Sequence, residues 1–224
     1  MGGRGEVTIQ LSDVTLYYEV VGHGAPCVLV HGAWENHRIF LKTADRLKER
    51  FTCYLVDSRG HGRSSPVKEF HYREMADDMV RFLDVLNLTN VMFVGFSDGG
   101  IIGLLAASKS GRIDRLVACS ANTIPEGLHQ AWLCLLKVIH FFSRNGVSRM
   151  LIEEPDISDA ELQNIRAKSL IIAGSRDLIL RNETDHIAAK IPDAEEMILP
   201  GHTHRSYLKK NDLLGNIILN WVKD

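Results

Sequence analysis

The chain has 224 residues, 45% of them hydrophobic, and its 26 Lys and Arg residues nearly balance 28 Asp and Glu residues, for a formal net charge of −2. This composition predicts one globular domain and excludes the long basic stretches of a nucleic-acid-binding protein. The beginning, MGGRGEVTIQ, has no apolar signal-peptide core, and runs such as 101–107 are too short to cross a bilayer. We therefore expect a cytoplasmic protein with no membrane partner and no nucleic-acid partner.

Two alternating segments, 6–11 and 15–21, open the chain and predict an antiparallel hairpin with one solvated face. Six nearly continuous apolar runs then predict strands that helices cover on both faces. These runs span 27–32, 53–60, 90–97, 115–121, 169–177 and 194–201.

Helical segments separate the strands, because apolar residues recur there at three- and four-residue spacing. They span 40–50, 72–86, 98–110, 181–191 and 212–222. Strands and helices that alternate in this way predict an α/β fold with a mostly parallel sheet and right-handed crossovers.

Residues 122–167 interrupt the alternation with a much longer connection. Within them, LHQAWLCLLKVIHFF at 128–142 is apolar nearly all round, so we expect it to be covered on most sides. We interpret 122–167 as a short lid over a pocket. Residues 1–121 and 168–224 then form the single core domain.

Polar motifs follow the strands of the predicted sheet, at the carboxyl ends where α/β proteins bind ligands. They read VLVHGAWENH, YLVDSRGHGRSS, FVGFSDGG, IIAGSRD and ILPGHTHRSY. In this order they resemble the α/β-hydrolase superfamily over essentially the whole chain. The resemblance implies an eight-stranded, mostly parallel sheet with helices on both faces, a short helical lid, and hydrolysis without a cofactor or metal.

Ser97 lies between Gly95 and Gly99 and is the predicted nucleophile. A serine hydroxyl needs an adjacent base, and the two glycines allow the cramped turn that exposes it. Taken alone, Ser97 is equally well explained as a helix N-cap, and the other motifs favour the nucleophile. The backbone N–H of Asp98 would then stabilise an oxyanion, and the resemblance implies the N–H of Ala33 as the second donor.

Asp177 is the predicted acid, since the order Ser, acid, His is that of the α/β hydrolases, and it is preferred to Asn122. Two histidines compete for the role of base in PGHTHRSY. The resemblance favours His204, which has the P-G-x-x-H spacing, and leaves His202 at the pocket rim. A metal site of His31, His202 and His204 is disfavoured because no carboxylate lies at ligand spacing.

Other histidines and the cysteines are interpreted as structural. Asp57, His61 and His31 are expected to hold loops together. The histidines without a visible partner are expected at surface or helix positions, namely His23, His37, His71, His129, His140 and His186. The cysteines are expected to be free thiols that fill apolar space, and they are Cys27, Cys53, Cys119 and Cys134.

These assignments predict a carboxylesterase-like enzyme that cleaves a small ester, thioester or related acyl compound through an acyl-enzyme. Serine at position 97 disfavours dehalogenases and epoxide hydrolases, which use a carboxylate nucleophile, and the first loop lacks the additional glycines of lipases. Three uses of the same triad stay open: acyl transfer, carbon–carbon bond hydrolysis and perhydrolysis. A non-enzymatic ligand receptor is the remaining alternative.

The acyl substrate is expected to contact the lid and the surroundings of Ser97. Asp98 has two interpretations, since its carboxylate either favours the helix terminus or binds the ammonium group of an amino-acid ester. The residues predicted to bind substrate are Asp98, Trp34, Trp132, Leu135, Leu136, Ile139 and Phe142.

Overall fold

A computed structural model describes residues 5–209 and 212–223. The strands are β1 Gly5–Gln10, β2 Thr15–Gly22, β3 Ala25–Val30, β4 Phe51–Val56, β5 Val91–Phe96, β6 Ile113–Cys119, β7 Lys168–Arg176 and β8 Ala194–Thr203. Across these described residues they form one eight-stranded sheet in the order β1-β2-β4-β3-β5-β6-β7-β8. Strand β2 is antiparallel to both of its neighbours, and the other pairs are parallel.

The helices are α1 Leu41–Leu47, α2 Tyr72–Val85, α3 Asp98–Lys109, α4 Gln130–Ser143, α5 Gly146–Glu153, α6 Asp159–Gln163, α7 Arg181–Lys190, α8 Ser206–Lys209 and α9 Leu213–Trp221. Short 3-10 turns lie at His37–Phe40 and Pro125–Gly127. Every predicted strand and helix is present, and the predicted mostly parallel sheet is confirmed. Among the described residues, no helix is both long and apolar enough to cross a membrane.

Apolar side chains cover both faces of the sheet, because successive residues of a strand point to opposite sides. In β3, Val28 and Val30 belong to one buried cluster, whereas Cys27 and Leu29 belong to another. Helices α2, α3, α5, α6 and α7 contribute to the first cluster, and α1, α8 and α9 contribute to the second. The carboxyl ends of the parallel strands therefore lie along one edge of a closely packed layer.

The segment 122–167 leaves the sheet after β6, returns at β7, and carries α4, α5 and α6. Its helix α4 packs against α5. Leu133 and Leu136 point from α4 into a small buried cluster with Leu128 and Ile179.

The expectation that residues 128–142 are covered on most sides is wrong. Helix α4 buries one face only, and on the other side Phe141 and Phe142 are 71% and 80% exposed. A helix that rests on a protein surface needs a single apolar stripe to hold it there. Leu133 and Leu136 supply this stripe. The packing of α4 on the described residues therefore does not require the apolar side chains on its exposed side.

Candidate active site

Ser97 lies in a sharp turn between β5 and α3. Its backbone has φ 53° and ψ −117°, an uncommon conformation for a residue with a side chain. A Cβ on Gly95 would lie 2.0 Å from the Gly99 carbonyl oxygen, and a Cβ on Gly99 would lie 1.9 Å from the Val30 carbonyl oxygen. These contacts explain why both positions next to the turn carry glycine.

Ser97, His204 and Asp177 form one hydrogen-bonded chain. The Nε2 atom of His204 lies 3.2 Å from Ser97 Oγ, and Nδ1 of His204 lies 2.6 Å from Asp177 Oδ1. A carboxylate only accepts hydrogen bonds, so Nδ1 carries the imidazole proton and Nε2 is left to accept from the serine hydroxyl. This is the geometry in which a base activates a serine and an acid orients the base.

Asp177 is held in its charged form although it is only 7% exposed. Burial opposes the charge, but hydrogen bonds from His204, Ser120 and the Gly174 N–H hold the pKa of the carboxyl below its ordinary value. The N–H groups of Gly174 and Ile179 donate to its two oxygens at 3.0 and 3.2 Å. The carboxylate can therefore stabilise an imidazolium on His204.

Ser120 and Tyr207 support Asp177, and the sequence analysis missed both. Ser120 Oγ donates to Asp177 Oδ2 over 2.6 Å, and Tyr207 OH lies 2.6 Å from the same Oγ. Because Ser120 gives its one proton to the carboxylate, Tyr207 is the donor to Ser120. Ser120 follows the end of β6, which is the one sequence signal that it lies at the active edge. Nothing in the sequence indicates that Tyr207 is its partner.

The two predicted oxyanion donors line the same cavity as Ser97. Asp98 begins α3, so its N–H belongs to the first turn, where N–H groups have no acceptor within the helix. Ala33 lies in a tight turn that the Glu35 N–H closes on the Gly32 carbonyl oxygen at 3.2 Å. Trp34 completes this turn with φ 55°. The two N–H groups are thus the candidates for an oxyanion hole.

The cavity over Ser97 has a volume of about 280 Å³ and a wall of mixed character. Its charged lining residues are Glu35, Asp98, Glu154 and Arg205. Arg205 pairs with Glu35 at 2.5 Å and His71 pairs with Glu154 at 2.6 Å, so two of the three lining carboxylates have ion-pair partners. Its apolar wall consists of Trp34, Phe96, Leu128, Trp132, Leu151 and Leu178.

Of the residues predicted to bind substrate, Asp98, Trp34 and Trp132 line this cavity. The prediction is wrong for Leu135, Leu136, Ile139 and Phe142, none of which lines it. Leu136 is fully buried on the inner face of α4, whereas Leu135 and Phe142 are exposed on the outer face of the same helix. The error arose because α4 is apolar on two sides, and the sequence does not show which side faces the cavity.

The side chain of Asp98 is 2% exposed and contacts Tyr72, another residue that the sequence analysis missed. Its Oδ1 accepts a hydrogen bond from Tyr72 OH at 2.9 Å, whereas the buried Oδ2 has no hydrogen-bond partner among the described residues. Burial raises the pKa of Asp98 to about 7, although the Tyr72 hydrogen bond and the charge of His204 act in the opposite direction. One buried carboxyl oxygen beside the cavity thus has an unused capacity to accept a hydrogen bond.

The histidines of the disfavoured metal site have separate partners. His202 Nδ1 lies 3.0 Å from Ser206 Oγ, away from the hydrogen bond that joins His204 to Ser97. His31 accepts from the Ser58 N–H at 3.1 Å, and burial lowers its pKa to about 4. Within residues 5–209 and 212–223, no group of three or more His, Cys, Asp or Glu side chains is arranged to hold a metal ion.

The loop after β4 has the structural role predicted for Asp57 and His61. Fully buried, Asp57 accepts hydrogen bonds from the N–H groups of His37 and Arg63 at 2.7 and 2.9 Å. His37 begins the 3-10 turn His37–Phe40, which is a helix position as expected, but it is buried there rather than at the surface. The sequence did not indicate its buried partner, because His37 follows β3 whereas Asp57 follows β4.

All four cysteines are free thiols. Cys27, Cys53 and Cys119 are buried in strands, as expected. Cys134 is exposed on α4, so the prediction that it fills apolar space is wrong.

A family model for the alpha/beta hydrolase fold matches residues 26–145. The chain belongs to the α/β hydrolase family. The AB hydrolase superfamily protein YisY of Bacillus subtilis is 38% identical over 112 residues, which cover 48% of this chain and 42% of that protein. A putative non-heme chloroperoxidase of Synechocystis is 30% identical over an alignment 270 positions long, gaps included, which covers 95% of this chain and 96% of that protein.

Among solved structures, the bromoperoxidase from Bacillus anthracis superposes with a TM-score of 0.85 at 21% identity, covering 99% of this chain and 100% of that one. At this identity the likeness shows the fold alone. The chain matches less than half the length of several relatives, YisY among them. Relatives of the family include proteins named as esterases and hydrolases, so membership supports hydrolase activity without indicating a substrate.

Proposed function

We propose that the chain is a serine hydrolase that cleaves a small ester, thioester or related acyl compound through an acyl-enzyme. The observation that carries the proposal is the continuous hydrogen-bonded chain from Ser97 through His204 to Asp177, placed at a strained turn beside a cavity. A helix N-cap role does not explain Ser97, because its side chain makes no capping hydrogen bond in α3.

In this mechanism Ser97 Oγ attacks the acyl carbon while His204 Nε2 takes the hydroxyl proton. The proton then passes from His204 to the leaving group, and the acyl group stays on Ser97. Water, deprotonated by His204, attacks the acyl-enzyme and releases the acid. Asp177 stays ionised throughout, because its hydrogen bonds favour the charged form. The N–H groups of Ala33 and Asp98 would stabilise the oxyanion, each contributing about 10²–10³-fold in turnover.

The cavity favours a small acyl group. At about 280 Å³ it lies near the lower end of the range usual for small-molecule sites. Its apolar wall suits the hydrocarbon part of a substrate.

A panel of chromogenic esters graded by acyl length tests the proposal, together with labelling by an organophosphorus probe. We expect hydrolysis of short-chain esters and covalent labelling of Ser97 that is absent from Ser97→Ala. Binding of ligands without turnover or labelling would instead indicate a receptor on a hydrolase scaffold.

Perhydrolysis is the second candidate, favoured by the Synechocystis relative that is named as a putative non-heme chloroperoxidase. In that reaction hydrogen peroxide replaces water as the acceptor of the acyl group, and the triad is unchanged. Product analysis of one ester with and without peroxide separates the two. Peracid as the main product at a low peroxide concentration, although water is in vast excess, would favour perhydrolysis.

Asp98 is proposed to select substrates that carry an ammonium group near the scissile carbonyl. Its unpartnered Oδ2 and its position in the cavity lining, next to the nucleophile, support this role. At about 4 Å and an effective dielectric near 20 the attraction is about 4 kcal/mol before desolvation, so a net preference of roughly tenfold is expected.

The test compares an α-amino ester with its des-amino analogue in the wild type and in Asp98→Asn. We expect kcat/KM to fall selectively for the amino ester. Because the pKa of Asp98 is raised to about 7, its carboxylate is neutral in acid, so the preference of the wild type should grow as pH rises toward about 7. The preference should decline again once the α-ammonium group, with an ordinary pKa of about 7.7–8.0, loses its proton. Equal loss for both esters would assign Asp98 to the helix terminus alone.

A further inference from the structure

The outer face of α4 carries an apolar stripe that the active site does not use. Its members recur at three- and four-residue spacing and lie within an arc of about 120° on an α-helix. All of them are exposed. This outer stripe consists of Ala131, Cys134, Leu135, Val138, Phe141 and Phe142.

The exposure of the outer stripe is unusually high for large apolar side chains. Leu135 and Val138 are 45% and 53% exposed, and Phe141 and Phe142 are 71% and 80% exposed. The opposite face of α4 already anchors the helix through the buried Leu133. Contiguous exposed apolar surface of this kind marks an interaction site more often than scattered single residues do.

We infer that the outer stripe is an interface with a second copy of this chain, in which the two α4 helices pack antiparallel about a two-fold axis. The size of the side chains changes along the stripe, from Ala131 and Cys134 at one end to Phe141 and Phe142 at the other. An antiparallel pair places the small end of each helix against the large end of its partner, which lets the side chains interdigitate. A parallel pair would place phenylalanine against phenylalanine.

The area of the stripe fits a weak dimer. If a fully exposed Leu, Val or Phe side chain offers about 150–200 Å², the four large members expose on the order of 450 Å² per protomer. Two protomers would then bury up to about 900 Å² from these side chains, and the residues that flank them would add to this area. This is the lower end of the range for specific interfaces, so the association should depend on concentration.

Lys137 predicts how the dimer responds to salt. It flanks the outer stripe near the middle of α4 and is exposed. The two-fold axis brings the two Lys137 ammonium groups to the same rim, where they repel each other. Salt screens this repulsion, so the dimer should strengthen as ionic strength rises.

The first experiment is sedimentation velocity of the full chain from about 1 to 200 μM, a range chosen for a weak association. The test variant is Val138→Glu, and Val85→Glu is its matched control, because both valines are exposed on helices, at 53% and 61%. We expect Val138→Glu to raise the dimer dissociation constant at least about tenfold and Val85→Glu to leave it unchanged. Neither valine lines the cavity, so activity on a soluble ester reports that both variants are folded.

Cross-linking provides an independent readout. Cys134 is the exposed cysteine, whereas Cys27, Cys53 and Cys119 are buried. In the antiparallel pair the two Cys134 sulfur atoms lie roughly 10–13 Å apart, within reach of a bismaleimide. We expect a covalent dimer from the wild type and none from Cys134→Ser. A wild type that stays monomeric at every concentration, equal dissociation constants for the two glutamate variants, or a monomer that binds phospholipid vesicles would overturn the inference.

Discussion

The carboxyl edge of the sheet and helix α4 border the same cavity but are held in place differently. At the edge, Asp177 accepts hydrogen bonds from two side chains and two backbone N–H groups, and close backbone contacts fix the turn at Ser97. On α4, two residues are buried and the outer face is bare among the described residues. The reactive groups thus lie where the structure is most constrained, and the wall of the cavity rests on an element with fewer buried contacts.

The sharpest test of this comparison is removal of the nucleophile. Ser97→Ala should lower kcat on a chromogenic ester by about 10⁴–10⁶-fold, because the members of a triad act as one unit. Its unfolding free energy should stay near that of the wild type, since only Oγ is lost. Near-full activity in Ser97→Ala would mean that Ser97 is not the nucleophile.

The two histidines after β8 test the assignment of the base. His204→Ala should cost as much activity as Ser97→Ala, and the double variant should cost little more, because the triad is already broken. His202→Ala is the control, since His202 bonds Ser206, and it should change kcat/KM by less than about tenfold. The reverse pattern would assign the base to His202 and leave the mechanism intact.

Loss of the hydrogen bond from Ser120 to Asp177 should lower activity less than loss of a triad member does. Its effect on the free energy of unfolding should depend on pH. Ser120→Ala deletes a donor to the carboxylate, so the pKa of Asp177 should rise and kcat/KM should fall, because the carboxylate that orients His204 loses one of its supports. Unfolding free energy should fall by about 1.5–3 kcal/mol at neutral pH.

This loss of stability has a defined sign. The folded-state pKa of Asp177 is depressed, so its hydrogen bonds stabilise the fold above the ordinary pKa of the carboxyl and lose that effect as pH falls through the depressed value. The difference between Ser120→Ala and the wild type should therefore shrink in acid. Tyr207→Phe, which removes one hydroxyl farther away, should show the same trend more weakly, and a loss independent of pH would indicate a packing defect.

The smallest effect is expected on α4. Trp132→Ala should shift the preference for acyl length by several-fold, because Trp132 lines the cavity and pocket contacts contribute about 1–3 kcal/mol to discrimination. Leu135→Ala is the matched control on the outer face and should leave the preference unchanged. The measurement is kcat/KM over the ester panel. Equal loss for every ester in Trp132→Ala would mean that the helix is merely destabilised.

The sequence by itself determined the strands, the five helices that alternate with them and the positions of the proposed triad, whereas the short helices α5, α6 and α8 were not predicted. Hydrophobic periodicity is a local property, and so is the need for glycine at Gly95 and Gly99. Because parallel strands end at one edge, Ser97, Asp177 and His204 could be placed together from the strand ends that precede them.

Only the tertiary structure decided the pairs that join distant segments. The contacts of Tyr207 with Ser120 and of Tyr72 with Asp98 connect residues 87 and 26 positions apart. Such contacts depend on how helices pack against the sheet, which no local pattern encodes. The same holds for α4: both of its sides are apolar, so periodicity predicts a helix, and packing alone decides that Leu136 is buried while Phe142 faces outward.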